Sequence, residues 1–234
     1  KPAAAPAAPG KVALRQDDRS VTVSGKNFEL VFSRASGTLS RLTYNGKTVL
    51  ADEAGVVRGP RLNVFRAFVD NDVWLRGPFF DSGLTQIRYH ARPLAVEEVN
   101  GSLVRVTAVV DACGFKSARF THAAEYLIAG DGTVSVQNTL TPDGALPPAL
   151  PRLGVRLMLD RALENMAYYG RGPWENYVDR NTGSALGYYE STVTGQYVDY
   201  VRPQECGGKT DVRWAAFTDQ AGDGVLFTFP QPLF

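Results

Sequence analysis

Short runs in which apolar and polar residues alternate recur along this chain. They are rich in Val, Thr and Phe, and they include SVTVSG (20–25), FELVFS (28–33), LVRVTAVVDAC (103–113) and TVSVQNTL (133–140). A period of two places successive side chains on opposite faces of a strand, so that one face is buried and the other is solvated. No stretch carries a long helical period. The pattern therefore predicts an all-β fold, an antiparallel β domain of two packed sheets.

Three dipeptides between strand-like runs mark the expected turns. They are Asn45-Gly46, Asn100-Gly101 and Asp131-Gly132. Asn-Gly and Asp-Gly supply the positive φ angles that a type I′ turn requires, and the twist of that turn matches the twist of the flanking strands. We therefore predict three β-hairpins with type I′ turns at these positions.

The formal net charge of the chain is +1. A chain with so little net charge has no global field to attract nucleic acid or an anionic membrane. It also contains no apolar run of the roughly 20 residues that a membrane helix needs. We expect neither nucleic acid nor a membrane among its partners, and we expect a soluble protein of either the cytoplasm or the periplasm.

The two cysteines, Cys113 and Cys206, lie far apart and form no C-x-x-C motif. This spacing excludes a disulfide-rich scaffold and a zinc module. A single disulfide between them is one interpretation. Two free thiols within a β domain is the interpretation that we favour.

The first residues, KPAAAPAAPGK, are rich in Pro and Ala, and such sequence stays extended and buries little. We predict a linker over residues 1–15 and a β domain over residues 16–234. The last run, GDGVLFTFPQPLF, ends on a strand-like apolar pattern. We therefore expect a domain cut from a longer protein and lacking its last strands.

The first dense group of polar residues is FRAFVDNDVW (65–74). Its Asp-x-Asp spacing can ligate a hard cation, but a calcium loop needs further oxygen ligands at fixed spacings that this segment does not have. We predict no metal site here. From the residues alone, we favour a turn in which Asp and Asn bond their own backbone. The candidate residues are Arg66, Asp70, Asn71, Asp72 and Trp74.

A second group is GRGPWENYVDR (170–180), and YVRPQECGGKTDVRW (200–214) repeats its mixture of residues. Arginine and carboxylate side chains can form a bidentate network that holds a corner of the fold. Aromatic rings can instead stack on the apolar face of a sugar. Both interpretations apply to Arg171, Trp174, Glu175, Tyr177, Asp179, Arg180 and Glu205.

The chain has two histidines, His90 and His122, both in strand-like runs. No sequence signature of a Ser-His-Asp or Cys-His nucleophile occurs, and we predict no catalytic residue in this chain. An acid–base pair acting on a sugar ring would need both histidines to converge on one cleft beside a carboxylate.

The segments FRAFVDND, GRGPWENYVDR and YVRPQECGGKTDVRW, in this order, resemble the C-terminal domain of β-galactosidases of glycoside hydrolase family 2. The family pattern runs F-R-A-P-x-D-N-D, then G-x-G-P-x-E-N-Y-x-D-R, then Y-x-x-P-Q-E-N-G. The opening GKNFELVFSRASGTLSRLTYNGKTVL also resembles the first strands of that domain. Two positions depart from the pattern, because Phe68 replaces Pro and Cys206 replaces Asn.

The resemblance implies a large antiparallel β-sandwich of the galactose-mutarotase-like kind, called a supersandwich. In the family this domain follows a (β/α)₈ barrel that carries the two catalytic glutamates and the active-site Mg²⁺ and Na⁺ ions. The chain would then be a non-catalytic domain without a cofactor of its own. Its partners would be the barrel and other domains of the parent enzyme, β-galactosides and further copies in a homo-oligomer.

The resemblance also divides the two candidate groups. In the family a mobile loop after D-N-D borders the sugar pocket, which implies a rim role for the stretch from Asp70 through Trp74 to about Gly83. For GRGPWENYVDR we favour a structural corner. Two alternatives keep the fold and change the function: a stand-alone mutarotase or epimerase, and a carbohydrate-binding module that uses Trp74, Trp174 and Trp214.

Overall fold

The computed structural model of the chain describes residues 10–51 and 56–233. The described strands pair antiparallel throughout, which confirms the all-β prediction. In chain order the elements are β1 (Ala13–Gln16), β2 (Ser20–Ser24), β3 (Phe28–Ser33), β4 (Thr38–Tyr44), β5 (Lys47–Ala51), β6 (Arg61–Asn63), a 3₁₀ helix (Asp70–Trp74), α1 (Arg76–Ser82), β7 (Ile87–Ala91), β8 (Ala95–Asn100), β9 (Leu103–Gly114), β10 (Arg119–Ala129), β11 (Val134–Pro142), β12 (Gly154–Arg156), β13 (Asn165–Gly172), β14 (Ala185–Thr192), a second 3₁₀ helix (Thr194–Gln196), β15 (Val212–Thr218) and β16 (Gly224–Leu233).

The described residues form two compact units. The first unit contains the described residues up to 67 together with 74–159, and the second contains 68–73 and 160–233. Strand β1 begins at Ala13, inside the segment that the sequence assigns to a linker, whereas residues 1–9 lie outside the described residues. The assignment of one domain to residues 16–234 stays a prediction.

The first unit is a β-sandwich. One sheet has the strand order β1-β2-β3-β4-β5, and the other has the order β11-β10-β9-β7, with β8 also paired to β9. Burial alternates residue by residue along β10, as the period-two pattern predicts. The inward side chains of the two sheets share one core, in which Phe32 and Tyr126 meet edge to face at 5.0 Å. Nine side chains of this core are at most 1% exposed: Val21, Val23, Leu30, Phe32, Leu50, Val104, Val106, Tyr126 and Ile128.

The three predicted hairpins are present, but only one has the predicted turn. Asn45 and Gly46 both have positive φ, 50° and 76°, as a type I′ turn requires. The other two turns are closed by a side chain, and the type I′ prediction was wrong for them. Asn100 Oδ1 accepts the Ser102 N–H at 2.9 Å, and Asp131 Oδ1 accepts the Thr133 N–H at 2.8 Å, so each turn is closed as an Asx turn.

The stretch after Asp70-Asn71-Asp72 is helical, so the prediction of a loop there was wrong. The 3₁₀ helix leads into α1, which ends at Gly83 with φ 78°. The left-handed conformation of Gly83 lets its N–H donate to the Phe80 carbonyl at 3.1 Å and so closes the helix. Phe79 on this helix is fully buried, whereas Phe80 is 53% exposed.

The second unit is built on a four-stranded sheet with the order β14-β13-β15-β16. Tyr168 on β13 is buried and its ring lies 5.5 Å from the ring of Tyr189 on β14. The loops that flank this sheet carry the segments GRGPWENYVDR and YVRPQECGGKTDVRW. Cys206 in the second of these loops and Cys113 on β9 are both free thiols, as we favoured from the sequence. Among the described helices, none combines the length and the apolar character needed to cross a membrane.

Candidate functional site

The three sequence segments meet within the second unit. The backbone N–H of Asp70 donates to the Pro203 carbonyl at 2.9 Å, and Arg202 Nη1 lies 3.3 Å from Asp70 Oδ1. These two contacts join the first segment to the third across 132 positions of sequence. Residues 171–180 join the same third segment through the contacts described next. We call the meeting of 70–72, 171–180 and 200–211 the motif junction.

Asn176 is the most buried polar residue of the motif junction, at 1% exposure. Its Nδ2 donates to the carbonyls of Arg171 and Trp174, both at 3.0 Å. Its Oδ1 accepts from the backbone N–H and the hydroxyl of Thr210, at 3.0 and 2.6 Å. All four hydrogen-bonding positions of the amide are therefore used, and the side chain fastens one loop to the other. The sequence analysis did not select this residue, although it stands between Glu175 and Tyr177 in the E-N-Y motif.

Glu175 is the central carboxylate of the motif junction, and its side chain is 8% exposed. Its Oε1 accepts from Arg180 Nη2 at 2.7 Å and from the Tyr200 hydroxyl, and its Oε2 accepts the Gly207 N–H at 3.0 Å. A carboxylate that already accepts from three donors is a structural anchor, since little of its acceptor capacity remains for a ligand.

Arg171 makes the second ion pair of the motif junction. Its Nε donates to Asp211 Oδ2 and its Nη1 donates to the Ser184 carbonyl at 3.1 Å. The backbone N–H of Arg171 also donates to the Thr210 carbonyl at 3.0 Å. Asp211 has a positive φ of 55°, a conformation that Asp tolerates better than most residues do. Arg171 is therefore paired with Asp211, which the sequence did not single out, whereas Glu175 is paired with Arg180.

Lys209 lies in the same region and was also not selected from the sequence. Its Nζ donates to Gln196 Oε1 at 2.8 Å and lies 5.7 Å from the centre of the Tyr168 ring. Burial lowers the pKa of Lys209, and the nearby charge of Glu175 acts in the opposite direction.

Comparisons with known proteins assign the chain to a family. A family model described as beta galactosidase small chain matches residues 24–231. The chain belongs to the beta-galactosidase small-chain family. It is 32% identical to a beta-galactosidase of Priestia megaterium and 29% identical to one of Streptococcus thermophilus, over 90% and 91% of this chain. It is 30% identical to a beta-galactosidase of Vibrio cholerae over 85% of this chain. The chain spans about a fifth of the length of each of these relatives.

The departure from the small-chain pattern at Cys206 leaves the motif junction intact. The next residue, Gly207, reaches Glu175 through its backbone N–H, so this contact does not need the side chain of residue 206. Asn176 likewise holds Thr210 through a contact in which Cys206 takes no part. A thiol in place of an amide is therefore compatible with the way this small-chain domain holds its loops.

The remaining candidates on residues 171–180 differ in exposure. Trp174 is 74% exposed, and Asp179 is also exposed. Tyr177 is partly buried, with the guanidinium carbon of Arg180 4.9 Å from its ring centre. Glu205 is partly buried in the third segment. Within this group, only Trp174 combines a large aromatic ring with open access to solvent.

The first candidate group is divided between the two units. Asp72 is buried, and its Oδ2 accepts the Val69 N–H at 2.8 Å, which is the backbone-bonded turn that the sequence allowed. Asp70 and Asn71 are exposed. Arg66 and Trp74 belong to the first unit, where Arg66 Nη1 donates to the Ala67 carbonyl at 3.1 Å and Trp74 is 87% exposed.

The two histidines of this small-chain domain do not converge. His90 on β7 is paired with Asp111 on β9, whereas His122 on β10 is paired with Val110 on β9. Because Asp111 and Val110 are consecutive, their side chains and those of their partners point to opposite faces of the sheet. His90 is accordingly exposed and His122 is 5% exposed, with its Nε2 3.0 Å from Asn138 Oδ1. This geometry does not provide the acid–base pair of a mutarotase.

A metal centre is not formed by the residues that the structure describes, since these contain no group of three or more His, Cys, Asp or Glu side chains placed to hold an ion.

Proposed function

We propose that this chain is the non-catalytic C-terminal domain of a β-galactosidase-type retaining glycoside hydrolase. One observation carries the proposal: the small-chain family matches nearly the whole chain, whereas the chain spans about a fifth of relatives named beta-galactosidase. The active-site glutamates of the parent enzyme then lie on a barrel domain outside these 234 residues, together with its Mg²⁺ and Na⁺ ions. The barrel and the other domains of the parent are the first partners of this chain.

We propose further that the domain shapes the rim of the galactoside-binding site. The support is the exposure of Asp70, Asn71 and Trp74, which follow one another along a short helical stretch. An indole that is 87% exposed offers a flat apolar surface for a pyranose ring. Arg66 precedes this stretch as the remaining rim candidate. Asp72, the buried residue of this stretch, accepts a hydrogen bond from the backbone N–H of Val69.

The motif junction has a structural role in this proposal. Asn176, Glu175 and Arg171 hold residues 171–180 against residues 205–211 with hydrogen bonds that are largely saturated. This fixed corner is the part of the domain that we propose for assembly with the rest of the parent and with further copies in a homo-oligomer.

Two enzyme assays test the proposal. The purified chain should not hydrolyse a chromogenic β-galactoside, and turnover that disappears when a carboxylate of this chain is replaced would contradict it. A chimera in which this chain replaces the matching fifth of the Priestia megaterium relative should hydrolyse the same substrate.

The chimera also tests the rim. Trp74→Ala should raise KM by about fivefold with a smaller change in kcat, because stacking on an aromatic ring is worth about 1 kcal/mol. The matched control is Phe115→Ala, which removes a ring that is 68% exposed in the turn between β9 and β10 of the same unit. Equal kinetics for wild type and Trp74→Ala would exclude Trp74 from the rim.

A further inference from the structure

One face of the sheet in the second unit carries a row of aromatic side chains across three strands. Tyr188 on β14 is paired with Tyr169 on β13, and Tyr169 is paired with Trp214 on β15. Residues that are paired across strands point to the same face of a sheet. The rings of Tyr188 and Trp214 lie 5.8 Å apart. We call Tyr188, Tyr169 and Trp214 the aromatic row.

The aromatic row is open to solvent. Tyr188 is 54% exposed, and Tyr169 and Trp214 are partly exposed. The next pairs along the same face are small: Ala167 on β13 is opposite Ala216 on β15. Because alanine side chains are much shorter than the neighbouring rings, the aromatic row stands above a floor of two alanines. The face is therefore a shallow trough with an aromatic wall.

Polar groups lie on this face beside the two alanines. Glu190 on β14 is paired with Ala167, two residues along from Tyr188, and the Tyr188 hydroxyl donates to Glu190 Oε1. Both side chains are exposed, so the carboxylate keeps acceptor positions that face solvent. An apolar wall beside a free carboxylate oxygen suits a ligand with one apolar face and hydroxyl groups around its edge.

We propose that the aromatic row binds a hexopyranoside, with the C–H face of the sugar ring on Tyr188 and Trp214 and a sugar hydroxyl donating to Glu190. A pyranose ring has this combination of an apolar face and an edge of hydroxyl donors. This site is made only of residues of the second unit, and it is separate from the rim residues Asp70, Asn71 and Trp74. It would bind sugar without turnover.

The size of the face argues against a macromolecular partner. A buried aromatic side chain covers about 150 to 250 Å². Tyr188 is 54% exposed and the other two rings are less exposed, so the aromatic row offers on the order of 200 Å². A stable protein interface takes about 800 Å² from each partner. The aliphatic residues nearby, Leu186 and Leu226, are 43% and 60% exposed, one at each side of the sheet, and the apolar surface that includes them still stays below that area. The surface matches one or two sugar rings.

The test is a titration of the purified chain with methyl β-D-galactopyranoside and with lactose, followed by NMR of the three tryptophan indole N–H signals. Trp→Phe variants assign these signals. The Trp214 signal should shift with a dissociation constant in the millimolar range. Tyr188→Ala should weaken this binding at least about tenfold. Because Tyr188 is an exposed side chain on an edge strand, this variant should keep the folded spectrum.

The matched control is Tyr197→Ala. Tyr197 is 70% exposed in the same unit, and its hydroxyl donates to the carboxylate of Asp199 two residues on, as that of Tyr188 does to Glu190. The control should bind sugar as wild type does. A Trp214 signal that does not move at saturating sugar overturns the proposal, and so does equal weakening by both variants.

Sedimentation of the same samples examines the competing occupant, a second copy of this chain. A dimer that dissociates in Tyr188→Ala, with no sugar-dependent shift of Trp214, would show that the aromatic row binds protein instead. The outcome is independent of the rim proposal, because that proposal is read from the KM of the chimera and this one from sugar binding to the isolated chain.

Discussion

The side-chain oxygen of Asn176 accepts two hydrogen bonds from Thr210, one from the backbone N–H at 3.0 Å and one from the hydroxyl at 2.6 Å. Both residues are buried, at 1% and 3% exposure. The pair fastens the loop after β13 to the loop before β15. All four hydrogen-bonding positions of the Asn176 amide are used within the motif junction.

Asn176→Ala should lower the free energy of unfolding by about 2 to 4 kcal/mol, because it leaves several buried backbone groups without a partner. Urea titration followed by circular dichroism and tryptophan fluorescence measures the loss. The control is Asn100→Ala, which removes one hydrogen bond from an exposed turn and should cost no more than about 1 kcal/mol. Similar losses in the two variants would contradict the role of Asn176.

Glu175 and Arg180 should show a favourable coupling in a double-mutant cycle. Glu175→Ala should cost about 2 kcal/mol, since it removes the acceptor of three donors, and Arg180→Ala should cost about 1 kcal/mol because the guanidinium is half exposed. Asp179→Ala, an exposed carboxylate of the same segment, should stay within about 0.5 kcal/mol of wild type. A coupling energy of zero would show that the ion pair does not stabilise the motif junction.

The stability of the chain should fall as the pH is lowered through the range below 6.5, and His122 should account for part of this loss. Burial lowers the pKa of His122 from its ordinary value of 6.5, and the hydrogen bond with Asn138 acts in the opposite direction. The unfolded chain therefore binds a proton at a higher pH than the folded chain does, so stability is present above 6.5 and is lost as the pH falls through the folded pKa. Urea titrations between pH 7.5 and pH 5 would be expected to show a smaller decline for His122→Gln than for wild type.

His90→Gln is the control for that experiment, because His90 is the second histidine of the chain and lies on the solvent face of the same sheet. The decline of stability with falling pH should be smaller for His122→Gln than for His90→Gln. If both glutamine variants flatten the profile to the same extent, burial of His122 is not the cause.

Phe32→Ala should cost about 3 to 5 kcal/mol, since it removes a fully buried ring from the contact with Tyr126 and leaves a cavity between the two sheets. Phe115→Ala removes the same side chain from a position that is 68% exposed and should change stability by less than about 0.5 kcal/mol. Thermal unfolding of the two variants gives the comparison. A small loss for Phe32→Ala would show that the sheets do not share the core that burial indicates.

Much of the first unit could be predicted from the sequence. The alternation in LVRVTAVVDAC determined both the strand β9 and the side chains that it buries, because a period of two sends alternate residues to the core. Asn45-Gly46 determined a type I′ hairpin, because both residues readily adopt the positive φ angles that this turn requires. The order of three motifs was enough to indicate the β-galactosidase family, and the comparisons confirm it.

The helical stretch over residues 70–82 and the roles of individual polar residues were decided only by the tertiary structure. Pro78 and the glycines around it favour a loop locally, but burial of Phe79 and the left-handed cap at Gly83 stabilise a short helix there. Asn176 reads as an ordinary polar residue until the loop that holds Thr210, 34 residues away, folds against it. A hydrogen bond between distant residues leaves no periodic pattern in the sequence. The sequence therefore determined the strands and the family, whereas the packing of the loops determined which side chains hold the site together.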